Sequence, residues 1–358
     1  MGYNKITMFP RLKINLKAIG ENYLTIKSRC EALGVDVVPV VKVVLGDENI
    51  VRVLKSLGAR VIGDSRVKNI KNFSSIDVEK MLLRSPMLSE IEEVIEFSDI
   101  SLNTEIEVVK HLSKVSSRKG RIHKVIVMVE LGELREGIMP EDVLPFVKKL
   151  RELPSIEFLG IGTNLTCLSG VIPTEENLKV LLELKNLIED YGIGVKVISG
   201  GGSNLLPMIW RGRLPRFINQ IRVGEGIFLG VEAIDRKPLP GLRQDTFTLE
   251  AEVIEVKRKP SLPWGKKTVD AFGEVPEFED KGIRRRAILA LGRQDVSLSG
   301  IIPSDKFEII GASSDHMVID VEKYPHIKVG DIVSFNLNYA GVLFAMTSPF
   351  VEKIYIEE

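Results

Sequence analysis

A rhythm restricts what this chain can fold into more than any other feature. Eight short apolar or β-branched runs follow one another, near 37–43, 59–63 (ARVIG), 80–84 (KMLLR), 99–102 (DISL), 124–130 (KVIVMVE), 157–163 (EFLGIGT), 194–199 (GVKVIS) and 219–224 (NQIRVG). Most are separated by stretches with apolar residues at helical spacing, such as DENIVRVLKSLG, TEIEVVKHLSKV and TEENLKVLLELKNLIEDY, and INLKAIGENYLTIKSRC precedes the first. Runs that do not alternate apolar with polar residues read as strands covered on both faces, as in a parallel sheet. Eight such strands mostly separated by helices, over about 250 residues, predict a (β/α)8 TIM-like barrel of the α/β class, here over residues 13–234.

The rhythm changes after about residue 234. DTFTLEAEVIEVKRK, RRRAILALGRQDV, FEIIGASSDHMVIDV and GDIVSFNLNY are short alternating segments split by Gly, Pro and Asp, which predicts a C-terminal antiparallel β domain over 235–358. Residues 1–12 contribute an N-terminal strand that joins either the β domain or the barrel. The cationic cluster GIRRRAIL (282–289) reads as a solvated strand edge.

Composition narrows the class of partner. Lys+Arg and Asp+Glu each total 49, so the chain is electrically balanced and has no field for a nucleic acid or another polyanion. No stretch approaches the roughly 18 to 20 apolar residues of a membrane span. The opening MGYNKITMFPRLK lacks a signal-peptide core, and MGYNKI lacks the Ser or Thr of a myristoylation motif. The two cysteines, Cys30 and Cys167, stand far apart and outside any metal spacing, which argues against a disulfide framework and fits a reducing cytoplasm. The expected location is therefore cytoplasmic, with a small molecule as the partner.

One lysine, Lys42, sits among the valines of VVPVVKVVLGD (37–47). An ammonium taken into such a place loses hydration worth several kcal/mol. Either Lys42 lies at the strand end with its head in water, or its amine has a task that burial assists. In barrels of this kind chemistry gathers at the C-terminal strand ends. Those ends carry Lys42, Arg84, Glu130 with Arg135, Thr163 with Asn164, Ser199 with a glycine run, and Arg222 with Gly224. The run SGGGSNLLP (199–207) suits a phosphate, because glycines let backbone N–H groups approach and Ser203 and Asn204 open a helix. Its place after the seventh strand, with IRVGEGIFLG after the eighth, matches the usual phosphate site of these barrels. A reactive lysine facing a phosphate grip points to pyridoxal 5'-phosphate as cofactor, since burial favours the neutral, nucleophilic amine.

The ordered set VVKVVLGD, IGDSRVKNIKNF, ELGELREGI, IGTNLTCLSGVIPTEENL, SGGGSN, FINQIRVGEGIFLG, GRQDV and GASSDHMVID spans nearly the whole chain. It resembles the alanine racemase-like, fold-type III pyridoxal-phosphate enzymes, and within them the ornithine, lysine and broad-specificity racemase branch. The resemblance implies an amino-acid racemase, an isomerase, that interconverts L and D forms of a basic amino acid by two-base proton transfer at Cα. It makes Lys42 the cofactor lysine and one of the two bases. Arg222 stands where the family carries an arginine against the pyridine nitrogen, a permanently charged group that moderates the electron sink. Ser203, Gly224 and Glu225 match phosphate contacts, Asn164 falls where a histidine lies against the ring, and Arg135 falls near the phenolic oxygen.

Three departures accompany this resemblance. Met128 replaces the modified lysine of some alanine racemases. The tyrosine that acts as their opposite-face base has no clean match in PSLPWGKKTVDAFGE, where Trp264 and Phe272 exchange no proton. The GASSDHMVID loop resembles one that enters the partner's site in these dimers, which implies a homodimer with shared active sites. In that loop His316 is a suitable proton exchanger, with Asp270 and Tyr339 as rivals, and Asp315 with Ser314 would face the substrate's distal amine. Two other readings remain: a pyridoxal-phosphate-dependent decarboxylase of basic amino acids, opposed by Arg222, and a non-catalytic pyridoxal-phosphate homeostasis protein, opposed by the β domain. No second His or Cys stands beside His316 at ligand spacing, so no metal is expected.

Overall fold

The Val-rich runs become strands and the segments between them become helices. The computed structural model describes residues 8–303 and 307–357, so the first seven residues of the expected N-terminal strand lie outside the described residues. The chain forms two units. One is Leu16–Gln244, and the other unites the residues up to Asn15 with those from Asp245 onward. The opening strand β1 (Arg11–Asn15) belongs to the second unit.

In the first unit β2 (Asp36–Pro39), β3 (Val61–Asp64), β4 (Glu79–Leu82), β5 (Ile100–Asn103), β6 (His123–Met128), β7 (Ile156–Gly162), β8 (Val197–Ser199) and β9 (Gln220–Val223) pair in parallel, in the order β2-β9-β8-β7-β6-β5-β4-β3. The bridge Val40–Gly63, with Val41 N donating to Gly63 O at 2.8 Å, joins the two ends into a barrel. Val38, Met81, Ile100, Leu102, Ile126 and Met128 form one buried cluster. They come from β2, β4, β5 and β6, and side chains from such separated strands meet only inside a barrel. Each buried aliphatic side chain contributes about 1.5–3 kcal/mol. Met128 is part of this apolar filling, 1 % exposed.

The helices start where the local chemistry caps them. Asp47 Oδ1 accepts from Asn49 N and Ile50 N, both at 3.1 Å, and opens the helix Glu48–Ser56. Thr174 and Asn177 cap Glu175–Asp190 reciprocally, at 3.2 and 2.8 Å. The barrel unit runs ten residues past the boundary read from the sequence at 234, to Gln244. Asn22, on the helix Leu16–Glu31, is the physical reason. Its amide donates to Ile227 O (3.1 Å) and Arg243 O (2.8 Å), and its Oδ1 accepts from Arg243 N (2.6 Å).

The second unit contains β10 (Phe247–Pro260), β11 (Ile283–Leu289), β12 (Ile301–Pro303), β13 (Glu308–Ala312), β14 (Met317–Asp320), β15 (Ile332–Leu337) and β16 (Glu352–Ile356). Its order is β12-β15-β10-β11-β14-β13, all antiparallel, while β1 pairs antiparallel with β10 and parallel with β16. The sequence reading missed one helix, Tyr339–Thr347. The arginines of β11 do not form a solvated edge, because β11 lies between β10 and β14. Arg284 pairs with Asp320 at 2.8 Å, Arg285 donates to Tyr324 O and Ile327 O, and Arg286 donates to Ser261 O at 3.0 Å. Each of the three arginines thus has a specific acceptor.

Candidate active site

The Val-rich run ends as a strand earlier than its composition suggests. Val40 N donates to Val223 O and Val41 N to Gly63 O, both at 2.8 Å, and no further rung follows. Val44 N and Gly46 N then turn back onto Val41 O, forming the short 3-10 turn Lys42–Val44. Lys42 is thus the first residue beyond the strand and is half-buried. Asn72 Nδ2 donates to Leu45 O at 2.9 Å and holds the end of this turn.

Two carboxylates feel the Lys42 ammonium. Asp64, at the end of β3, is fully buried, with Oδ1 accepting from Arg66 N (2.9 Å) and Asn69 Nδ2 (3.0 Å) while Oδ2 has no partner. Burial pushes its pKa up to about 6 against the opposing pull of those donors and of Lys42. Glu225, which opens the helix after β9, is likewise raised by burial, with Arg236 and Lys42 opposing and Glu232 reinforcing.

The loops after β8 and β9 interlock. Ser203 Oγ accepts from Gly226 N at 3.0 Å, and Gly202 N donates to Asn204 Oδ1 at 2.8 Å. A Cβ at Gly202 would lie 2.9 Å from Arg222 O, and one at Gly224 would lie 3.1 Å from Val40 O, so neither position has room for a side chain. These contacts draw the ends of β8, β9 and β2 together. Ser203 and Glu225 each begin a helical turn, whose first N–H groups have no acceptor within the turn.

Arg222 crosses the same end of the barrel. One terminal nitrogen donates to Ser199 Oγ and the other to Thr163 O at 2.6 Å, while Ser199 Oγ donates to Gln220 Oε1 at 2.9 Å. Burial lowers the guanidinium to about 10, with Cys167 and Glu136 opposing and Arg135 reinforcing, so it keeps its proton at neutral pH. Arg135 itself is bound by Glu136. Next to Thr163, the amide nitrogen of Asn164 is buried and has no partner among the described residues.

The chemistry of this end fits a phosphorylated aldehyde. It offers an amine at Lys42, two interlocked glycine-opened turns for an anion, a charged guanidinium held in one plane, and an orphaned amide donor at Asn164. The alanine racemase, N-terminal domain family matches residues 14–231 of this chain. The chain belongs to the alanine racemase family. Among its relatives are the ornithine racemase of Acetoanaerobium sticklandii, 41 % identical over 97 % of this chain and 99 % of the relative, and the lysine racemase of Thermotoga maritima, 41 % identical over 97 % and 99 %. The fold matches the alanine racemase of Bartonella henselae, solved with covalently bound pyridoxal phosphate, with a TM-score of 0.74 at 17 % identity, covering 98 % of this chain and all of that one.

Within this alanine racemase-family chain, the residues picked from sequence fall into two groups. Lys42, Arg135, Asn164, Ser203, Arg222, Gly224 and Glu225 all lie in the barrel unit, at or just beyond the ends of its strands. Ser314, Asp315 and His316 lie in the second unit, in the exposed turn between β13 and β14. There Ser313 N donates to His316 O, and His316 Nδ1 lies 2.8 Å from Asp315 Oδ1, a contact that lowers the carboxyl's pKa. A cleft of about 800 Å3 in that unit gathers His316, Asp270, Trp264, Phe272 and Arg293. Asp270 is spent on a turn, accepting from Phe272 N (2.8 Å) and Glu274 N (2.9 Å), which holds its carboxyl below the usual range. Tyr339 is the first residue of the unread helix.

Two buried acids at the barrel's end escaped the sequence reading. Asp64 had a local signal, since an Asp that accepts from the backbone N–H two residues on, here Arg66 N, is an Asx-turn arrangement. Glu133 had none, because its partners stand 33 to 38 residues away.

Proposed function

We propose that this chain is a pyridoxal-phosphate-dependent amino-acid racemase acting on a basic amino acid, ornithine or lysine, with breadth toward other side chains. Its near-full-length similarity to racemases of those two amino acids carries the reading. The cofactor, when bound, supplies the electron sink that makes the substrate's Cα–H acidic. Lys42 Nζ would hold it covalently at rest and, once freed, would move the proton at Cα on one face. Ser203, Gly224 and the Glu225 backbone would bind the phosphate. Asn164 would serve the ring, and Arg135 its phenolic oxygen.

Arg222 would serve the pyridine nitrogen. Its terminal nitrogens are fixed by Ser199 and Thr163, and a guanidinium that stays charged does not hand its proton to the ring. That restraint moderates the electron sink, where a decarboxylase of this fold would more usually place a carboxylate, and so supports racemisation over decarboxylation. The proton on the opposite face comes from His316 of the partner subunit. Asp315 and Ser314 meet the distal ammonium, whose charge is costly to desolvate unpaired.

The proposal includes a cytoplasmic homodimer with shared sites. Among the described residues no helix is long and apolar enough to cross a membrane. A chiral assay of the purified protein with pyridoxal phosphate, across the common L-amino acids, tests the reading. The expected result is fastest appearance of the D form from ornithine or lysine, without CO2. Isomerisation of no amino acid, or release of CO2 in step with substrate loss, overturns it.

A further inference from the structure

The loop after β7 carries Asn164 and Cys167, and one carboxylate from the neighbouring loop holds most of it. Glu133, 1 % exposed, accepts from Thr166 N (2.9 Å), Leu168 N, Ser169 N (3.0 Å) and Val171 N (3.3 Å). Its own carbonyl accepts from Ser169 Oγ at 2.6 Å. Burial works to raise the Glu133 pKa, but the N–H groups of Leu168, Ser169, Thr166 and Cys167 outweigh it, and the carboxyl titrates below the usual range. It therefore remains a charged acceptor wherever the protein is folded near neutrality.

What this grip holds is not relaxed backbone. Thr166 has φ +66°, a left-handed conformation that a β-branched residue rarely adopts. The three residues before it carry two further ties. Asn204 Nδ2 donates to Leu165 O at 3.0 Å, and Arg222 donates to Thr163 O at 2.6 Å. Asn164, with its buried and unpartnered amide nitrogen, stands between those two ties. One of the two acceptors that fix the plane of Arg222 is thus the carbonyl of the residue before Asn164, and Glu133 sets the far end of the same short segment.

We infer that Glu133 is a positioning residue of this site: its carboxylate fixes the segment Thr163–Val171 and so presents the Asn164 amide to the cofactor while keeping Thr163 O in place for Arg222. The inference rests on the cofactor reading proposed above. It assigns Glu133 a role through other residues, with no contact to the reacting atoms. A glutamine at this position tests the chemistry closely. It keeps the shape but offers one carbonyl oxygen and an NH2, and the NH2 sets donor against donor before backbone N–H groups that all need an acceptor.

The experiment uses the full chain and four variants: Glu133→Gln, Asn164→Ala, their combination, and Ser169→Ala as a milder release of the same loop should Glu133→Gln fail to fold. Cofactor dissociation constants and induced circular dichroism of the bound pyridoxal phosphate are measured beside amide exchange across residues 163–171. Glu133→Gln should speed exchange in that segment, weaken cofactor binding about ten-fold or more and change the induced dichroism. The combined variant should be no weaker than the worse single one, because Glu133→Gln already releases the amide that Asn164→Ala removes. Ser169→Ala should move the same readouts in the same direction, less far.

Fold-losses that multiply in the combined variant overturn the inference. So does faster exchange with unchanged affinity and dichroism, which would leave Glu133 a purely structural group. If the parent chain binds no pyridoxal phosphate, the cofactor reading falls and the inference falls with it. Parent binding that Glu133→Gln leaves unchanged removes the inference alone.

Discussion

Arg222→Lys isolates what the planar guanidinium does. The parent side chain spans two strands, with one terminal nitrogen on Ser199 Oγ and the other on Thr163 O at 2.6 Å, in a site 7 % exposed. A lysine keeps the charge, but its three N–H groups diverge from one nitrogen on a flexible stem and lack the planar fork that meets both acceptors at once, so the paired bonds do not both persist. Loss of one hydrogen bond from a charged group costs about 1.5–3 kcal/mol. For a unit the size of the barrel, each kcal/mol is worth about 2–4 °C, so the unfolding midpoint should fall by about 3–12 °C. Differential scanning calorimetry of the cofactor-free protein measures this directly, without reference to activity. The racemisation rate of the loaded protein should fall as well if Arg222 serves the ring as proposed, since it is no longer held in one plane. A variant that melts within about 1 °C of the parent would refute the claim that both acceptors depend on the fork.

Other outcomes follow from the same geometry. Lys42→Ala should leave a colourless protein with no borohydride-reducible cofactor adduct, and a retained adduct would move the covalent role to another amine. Folded Asp64 titrates at about 6 against an ordinary 3.8, so its contribution to stability is full below 3.8 and lost as the pH rises through about 6. Asp64→Asn should therefore gain on the parent by up to roughly 3 kcal/mol between pH 4 and 7.5 in urea unfolding, and parallel pH profiles would sink this account. Asp315→Asn should raise KM for ornithine or lysine by about ten-fold or more, and for alanine much less, if a charge-assisted contact of roughly 1.5–3 kcal/mol is lost. Equal losses for all substrates would reduce Asp315 to a partner of His316 in its turn.

The barrel was legible because each of its strands carries its own signal. Runs such as KVIVMV and VVPV are β-branched and buried on both faces, and the helices between them begin at Asp47 and Thr174 with side chains that cap their own N–H groups. Strand ends were less legible, since they depend on partners. Val43 and Val44 have the composition of a strand, yet the ladder beside them stops at Gly63 and Val223, and their backbone turns into a helix instead. The arginines of β11 misled for the same reason. A run of three cations looks solvated until Asp320, Tyr324 O, Ile327 O and Ser261 O are seen to receive it.

The candidate site divides along the same line. Lys42, the glycine run and Ser203 were readable from residue type and from place in the rhythm, because a lysine among valines and glycines after a strand are locally unusual. The groups that hold them in place were not. Asn72 reaches across 27 residues to Leu45, Arg222 across 59 to Thr163, and Glu133 across 33 to 38 to a loop whose own sequence gives no hint of strain. A side chain that meets a ligand must have one of a few chemistries and so stands out in a sequence. A side chain that only presents it needs a hydrogen-bonding atom at the right point in space, a requirement that many residue types meet and that only the fold selects among.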